Sequence, residues 1–400
     1  MQAGWRIGSL FGIPLFINPS WFFILTFVTL ANAWDFYPDW GLIAAGSAGL
    51  AIALLMFGSL LLHELGHSLA ARSQGIGVNS ITLFLFGGIA SIEQESKTPG
   101  EAFKVAVAGP AVSIALWSLF YLLATVMPAS APVRAIVLQL GTINLVVALF
   151  NLIPGLPLDG GQILKAAVWK LTGNRYDGVR WAAKTGQILG GGAIALGLAV
   201  AWLQDQWFSG LWIGALGWFA FRNASTYNRI TNLQEALLQL AASDAMTREF
   251  RVVDASQTLR QFADEYILAS TGADYPYYAA SDGRYRGQVF VEDLQVVERS
   301  QWDIQTVESI ARSLNDILSV QEKTPLVEVI NYLETQQLQR VTVLSPAGTV
   351  AGVIDRGDVV RALASKINLN IADTEIKRIK AEGTYPPSLQ LDAIAKATTV

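Results

Sequence analysis

Apolar positions fall in long, charge-poor runs up to about residue 225, and the pattern then changes to that of ordinary soluble protein over 226–400. A helix needs about 20 apolar residues to cross a bilayer. Six runs reach or approach that length: 18–34, 41–67, 104–127, 135–155, 185–204 and 206–222. The first and last are short. The last carries Trp207, Trp212 and Trp218, which suit an interfacial anchor as well as a span. Between the second and third runs, Val78 to Ile92 alternates loosely, is rich in β-branched residues and Phe, and breaks at Gly87-Gly88. It predicts a β-hairpin, either in the membrane or on its cytoplasmic side. Backbone of that kind is tolerated at membrane depth only where it is buried in protein or lines a wet cavity. The fold class expected is a polytopic α-helical membrane protein of about six transmembrane helices with a membrane-associated β-hairpin, followed by a soluble α/β module. Gly186, Gly190 and Gly191 in the fifth run predict close helix packing.

Charge orients these runs. The loops joining runs one to two, three to four and five to six carry Asp35, Asp39, Arg134 and Asp205. The other side carries Arg6, Arg72, Lys97, Lys104, Lys165, Lys170, Arg175, Arg180, Lys184, Arg222 and Arg229, eleven basic residues against one. The positive-inside rule then places both termini and the C-terminal module in the cytoplasm. Over the whole chain 52% of residues are hydrophobic and only 15% charged, and mean hydropathy is positive. A net charge of −4 gives no argument for direct nucleic-acid binding. Cysteine is absent, which excludes disulfides and Cys-ligated zinc. The N-terminal stretch, with Arg6 and the interrupting Pro14 and Pro19, does not read as a cleavable signal peptide.

The only two histidines of the chain lie in His63-Glu64-Leu65-Gly66-His67, at the end of a run with no charge from Trp40 through Leu62. Helical spacing puts residues i and i+4 on one face, so both imidazoles can hold one metal ion. H-E-x-x-H is a zinc signature in which the intervening Glu acts as general base toward a water. An ionisable group in a membrane span points to a functional site by default. Two histidines leave a catalytic zinc one protein ligand short, so a carboxylate or water must complete the set. Among the acids of the first 160 residues, only Glu64 and Asp159 lie within or at the edge of long apolar runs. Asp159 ends Asn151-Leu-Ile-Pro-Gly-Leu-Pro-Leu-Asp159-Gly-Gly, where two prolines break the fourth run and two glycines permit a close backbone approach. Asn151 and Asn144, together with Gly87 and Gly88, are candidate oxyanion or substrate-binding positions. For Asn144, helix packing is an equal alternative.

These two segments, with a Gly109-Pro110 span between them, resemble the site-2 protease family of intramembrane zinc metalloproteases over about residues 1–225. The resemblance implies His63, His67 and Asp159 as ligands of one zinc ion and Glu64 as catalytic base. It also implies single-span membrane protein substrates, such as anti-sigma factors or other membrane-tethered regulators. No insert is large enough for the PDZ domain of some members.

Residues 243–366 carry a weak internal repeat. Gly283, Gly287 and Asp293 match Gly348, Gly352 and Asp358 at one offset, and each copy reads helix, strand, turn, strand, helix. This resembles a tandem CBS module, with repeats over 243–300 and 301–366, a helical linker over 226–242 and a C-terminal tail over 367–400, partly ordered from Lys377. Such modules often bind adenine nucleotides, and Asp293 and Asp358 match the ribose-contacting position. The hydroxyl residue expected three positions earlier is Phe290 in one copy and Asp355 in the other, and an acid there repels phosphates. The module is therefore expected to bind an adenine nucleotide or to act as a structural or dimerising element, with a homodimer among its expectations. Two competing functions remain open on sequence: a CBS-gated membrane metal sensor or transporter, and an inactive scaffold.

Overall fold

The computed structural model describes residues 4–85, 87–129, 132–268, 275–386, 389, 391 and 394–395. Two compact units divide the chain at Thr231/Asn232.

The first unit is a helical bundle with one small sheet. Its strands are β1 (Trp5–Leu10), β2 (Ile13–Ile17), β3 (Val78–Phe84) and β4 (Gly87–Ile92), in spatial order β1-β2-β3-β4. The sequence pattern anticipated β3 and β4, which pair antiparallel with Leu83 opposite Gly88. It missed the N-terminal hairpin, because Gly8, Gly12 and Pro14 interrupt the alternation. β2 joins the sheet by parallel pairing with β3. Ile13, Leu15, Leu65 and Ile81 form the buried seam between the sheet and the helix beneath it.

That helix, α1 (Ser20–Arg72), is 53 residues long and broken at Gly41, whose backbone is left-handed at φ 73. The break makes two legs, 20–40 and 42–72. A Cβ at Gly49 would lie 2.4 Å from the Thr29 carbonyl oxygen and 3.0 Å from the Ala33 nitrogen, so the legs fold back against each other. The loop expected over 35–40 is instead helix, with Pro38 inside it, and one glycine makes the turn. Then come α2 (Pro99–Val126), α3 (Pro132–Asn151), α4 (Asp159–Thr172), α5 (Arg175–Leu203) and α6 (Trp207–Leu238). Thr98 and Glu101 form a capping box at the start of α2, and Asn174 caps α5. α3 ends at Asn151, four residues before the end of the expected span, where the proline-containing break begins. α5 begins ten residues before its expected span, adding nearly three turns that carry Arg175, Asp177, Arg180 and Lys184.

Among the described residues, four helices are long and apolar enough to cross a membrane: α1, α2, α3 and α5. Their outward faces are apolar, with Ile43 85% and Leu198 67% exposed. A water-facing bundle would put polar residues there. α6 is not among the four, since Trp and Gly interleave its apolar half and Arg222-Asn223 closes it. Gly186 and Gly190 meet backbone of neighbouring segments, whereas Gly191 has open space beside it and serves no packing contact.

Among its described residues, the second unit holds two three-stranded sheets. One has order β5-β6-β7, from β5 (Arg251–Asp254), β6 (Tyr277–Ser281) and β7 (Arg284–Val289). The other joins β8 (Ser319–Gln321), β9 (Arg340–Leu344) and β10 (Val350–Asp355). In each, the first pair is parallel and the second antiparallel. The helices are α7 (Ala242–Ala245), α8 (Leu259–Phe262) continued by a π-turn, α9 (Val291–Val296), α10 (Leu326–Thr335), α11 (Arg356–Lys366) and α12 (Asp373–Glu382). Thr247, ahead of the first sheet, bridges Val353 of the second, and Arg312, ahead of the second, bridges Gln288 of the first. Gly352 and Gly287 sit at these bridges, where a Cβ would meet the Thr247 and Arg312 carbonyl oxygens at 2.8 and 2.2 Å. That shared constraint is the physical basis of the Gly repeat. The tail expected to be only partly ordered contains α12, because Ile376 and Ile379 bury against α11 and its surroundings.

Candidate metal centre and catalytic site

His63, Glu64 and His67 lie near the end of the second leg of α1, and both imidazoles are buried. α2 packs against them through one stripe. Val105, Gly109 and Ser113 recur at four-residue spacing and so share a helix face. The Val105 carbonyl oxygen lies 2.7 Å from His67 Nδ1. A carbonyl only accepts, so Nδ1 carries the proton and Nε2 presents a lone pair. His63 Nδ1 is 2.9 Å from Ser113 Oγ. Partners of this kind fix the orientation of metal-ligating imidazoles. Between them, Gly109 leaves room where a Cβ would lie 2.2 Å from His67 Nε2 and 2.6 Å from His63 Nε2.

Asp159 arrives from the proline-containing break as the first residue of α4. The break turns so tightly that a Cβ at Gly160 would lie 2.3 Å from the Leu152 carbonyl oxygen, and one at Gly161 2.4 Å from the Gly155 carbonyl carbon. The Leu156 N–H donates to the Ala182 carbonyl of α5, which holds the break in place. The Asp159 carboxylate then meets both histidines, with Oδ2 3.1 Å from His63 Nε2 and Oδ1 3.3 Å from His67 Nε2. The two Nε2 atoms are 3.3 Å apart. Ligands of a tetrahedral zinc at about 2.0–2.1 Å lie about 3.3–3.4 Å from one another. The three side chains therefore fit one zinc ion, with room for a fourth ligand.

Glu64 faces the sheet. A Cβ at Gly88 of β4 would lie 2.5 Å from Glu64 Cγ, and the Ala90 N–H points at its carboxyl group. Only a glycine at 88 lets the strand lie this close. Gly87 has no such contact. Asn144 is buried, and its amide donates to Ser59 Oγ at 3.1 Å and to the Leu140 carbonyl at 2.9 Å. It joins α3 to α1 at Ser59, one helical turn before His63. Asn151 ends α3 half-buried, and its side chain makes no hydrogen bond among the described residues.

A model of peptidase family M50 matches residues 51–130 and 127–190, which span both segments just described. A relative from Synechocystis sp., named as a zinc metalloprotease, is 41% identical over 365 residues, covering 91% of this chain and 96% of that protein. The chain belongs to peptidase family M50. Rip3 of Mycobacterium tuberculosis, also named as a zinc metalloprotease, is 33% identical over 79% of this chain and 80% of its own. Among solved structures, the site-2 protease of Methanocaldococcus jannaschii aligns with TM-score 0.41 and 24% identity, covering 56% of this chain and 95% of that one. The family model and these relatives make the protein a zinc metalloprotease of the site-2 type. A CBS model matches residues 307–365 of the protease.

In the CBS region of the protease, both candidate ribose contacts already hold cations. Asp293 takes a two-pronged ion pair from Arg312, at 2.6 Å from Nε and 2.5 Å from Nη2. Asp358, 1% exposed, accepts from the Asp355 N–H and lies 2.8 Å from Lys380 Nζ of α12. Lys380 also lies 2.7 Å from Glu249 and 3.2 Å from Asp355. A Cβ at Gly357 would lie 2.5 Å from Lys380 Cγ, so this glycine makes the slot for the lysine stem. Sequence reasoning passed over Ser113, the Val105 carbonyl and Lys380. The four-residue recurrence of Val105, Gly109 and Ser113 was the available signal for the first two, and no sequence signal pointed to Lys380.

Proposed function

We propose that the protease hydrolyses peptide bonds within or near transmembrane segments of membrane-tethered regulatory proteins, anti-sigma factors among them. The observation that carries this reading is the mutual spacing of 3.1–3.3 Å among the His63, His67 and Asp159 donor atoms, with Glu64 beside them in a membrane-length helix. His63, His67 and Asp159 would hold the zinc, which when bound supplies a Lewis acid that makes a water nucleophilic near neutral pH. Glu64 accepts a proton from the attacking water as its oxygen bonds to the substrate carbonyl carbon. Glu64 then delivers that proton to the amide nitrogen as the C–N bond breaks, leaving a carboxylic acid and an amine, between which the remaining acidic proton equilibrates. The unpartnered Asn151 amide is the candidate donor to the developing oxyanion.

A transmembrane substrate hides its peptide bonds in its own helical ladder and must unwind to react. β4 is the edge strand of its sheet, and its backbone lies on Glu64, so an extended substrate segment can add to that edge. Six spans are proposed, with α6 as the sixth, and with both termini and the CBS module, over 243–366, in the cytoplasm. The CBS pair serves as a regulatory or dimerising module. An adenine nucleotide at Asp293 or Asp358 would have to displace Arg312 or Lys380, which favours regulation in which ligand binding frees these side chains. The test of the catalytic reading is cleavage of a single-span reporter by purified full-length protein and by Glu64→Gln, with zinc measured in both. The expected result is about one zinc in each and cleavage by the unmutated protein alone. Turnover by Glu64→Gln would remove Glu64 as the base.

A further inference from the structure

Glu95 lies three residues beyond β4, and its carboxylate is answered from two helices. Lys165 Nζ of α4 is 2.8 Å from Glu95 Oε2, and Arg175 Nη1, at the start of α5, is 3.5 Å from the same oxygen. The Lys165 side chain is only 9% exposed, and among the described residues Glu95 is the one carboxylate paired with it. A buried ammonium needs such a partner. The Glu95 side chain is itself 56% exposed; what desolvation it has works against its charge, but Lys165, its hydrogen bond and Arg175 outweigh it and hold the carboxyl below the ordinary carboxylate range.

The placement of this pair matters more than its strength. Lys165 follows Asp159 by six residues on the same helix, about 9 Å along its axis. Glu95 follows Gly88 and Ala90, the β4 residues that meet Glu64. One ion pair therefore ties the helix that carries a metal ligand to the strand that covers the base. On its other side β4 pairs with β3, in a ladder with an irregularity between Val78 and Ser80, and past the strand the Glu93 N–H donates to the Gly77 carbonyl and Ser96 Oγ to Gln74 Oε1. Resting on the catalytic reading above, we propose that Glu95 and Lys165 are positioning residues that clamp β4 against Glu64 and so set turnover without touching substrate or metal. When a substrate strand adds to the open edge of β4, the clamp keeps the sheet from sliding off the base.

The test uses full-length protein in detergent carrying Glu95→Gln, Lys165→Met or both. The zinc content, and the kcat and KM for a single-span reporter, are measured for each. Misplacement by about 1 Å can cost about a hundredfold in rate. The expected result is a kcat lowered about ten- to hundredfold, with KM within about threefold and zinc retained. The double variant should be no worse than the poorer single one, because a pair that acts as a unit is non-additive. Glu95→Asp, which keeps the charge, should recover most of the loss. Because the chain has no cysteine, a nitroxide on Gln94→Cys reports the strand end without background. Its electron paramagnetic resonance line should sharpen in Glu95→Gln. Full turnover in Glu95→Gln, additive losses, or a kcat loss matched by zinc loss would each overturn the clamp. Should unmutated protein fail to cut the reporter, the catalytic reading fails, and the line shape alone decides whether Glu95 holds β4.

Discussion

Replacing Gly109 with Ala should empty the metal centre while leaving the helix bundle intact. The methyl carbon would lie 2.2 Å from His67 Nε2 and 2.6 Å from His63 Nε2, where ordinary contact begins at 3.4 Å. The shortfalls are 3.4 − 2.2 = 1.2 Å and 3.4 − 2.6 = 0.8 Å. Neither imidazole can retreat freely, because the Val105 carbonyl and Ser113 Oγ hold their Nδ1 atoms at 2.7 and 2.9 Å. A working site needs metal–ligand distances within about 0.2 Å of ideal, so a displacement near 1 Å is several times too large. Losing a partner that orients a ligand already costs about 10–100-fold in metal affinity. Disturbing two ligands should cost at least about a hundredfold, or about 2.8 kcal/mol. Zinc affinity by chelator competition, read beside reporter cleavage, measures this directly. Gly58→Ala is the control, since Gly58 lies on the same helix as the histidines with nothing within 4 Å of the added carbon. There the change should be neutral or stabilise by about 0.5–1 kcal/mol. If Gly109→Ala holds zinc within about threefold of the unmutated protein and still cleaves, the placement of the metal between α1 and α2 is wrong.

Other outcomes follow from the remaining contacts. Asn144→Ala removes an interhelical hydrogen bond and should cost about 0.6 kcal/mol, at most about 1.7, with zinc and kcat unchanged. A tenfold or greater fall in kcat in a folded variant would favour Asn144 as an oxyanion donor over a packing role. Lys380→Ala leaves the Asp358 carboxylate, 1% exposed, with the Asp355 N–H and Arg361. Breaking a buried pair costs about 3–5 kcal/mol, and the remaining donors reduce the expectation to about 2–3 kcal/mol. Calorimetry of the full chain should show that loss, and adding Asp358→Asn should recover much of it. Burial pulls the Lys380 ammonium down, but Asp358, Glu249 and Asp355 outweigh it and hold its pKa above the ordinary 10.5. Its contribution should therefore be intact below about pH 10.5 and lost as pH rises through the higher folded value. A melting temperature that is flat across that range would refute the pairing.

Much of the candidate centre was readable in one dimension. His63 and His67 are four residues apart on a helix, with Glu64 between them, and helical geometry alone puts the two imidazoles on one face. Asp159 was readable because a carboxylate beside a doubly proline-broken apolar run has few uses other than a buried partner. The hairpin of β3 and β4 was legible from its alternation and its Gly-Gly break. The long apolar runs marked the helices, but their ends were misjudged wherever one residue decides the chain's direction. Gly41 turns α1 without a loop, and α5 starts ahead of its apolar stretch because Asn174 caps it and the charged residues there still favour helix.

Tertiary structure decided what lies against these elements. Nothing local says that Asn144 spends its amide on Ser59, that Gly109 is the space between two imidazoles, or that Lys380 plugs the acidic pocket around Asp358. Those facts depend on which helix faces which, and close packing settles that over distances of tens to more than a hundred residues. The sequence by itself determined the chemistry available, namely two histidines, a base and a carboxylate in apolar surroundings. Only the fold decided where each one points, because orientation is a property of packed neighbours and not of spacing along the chain.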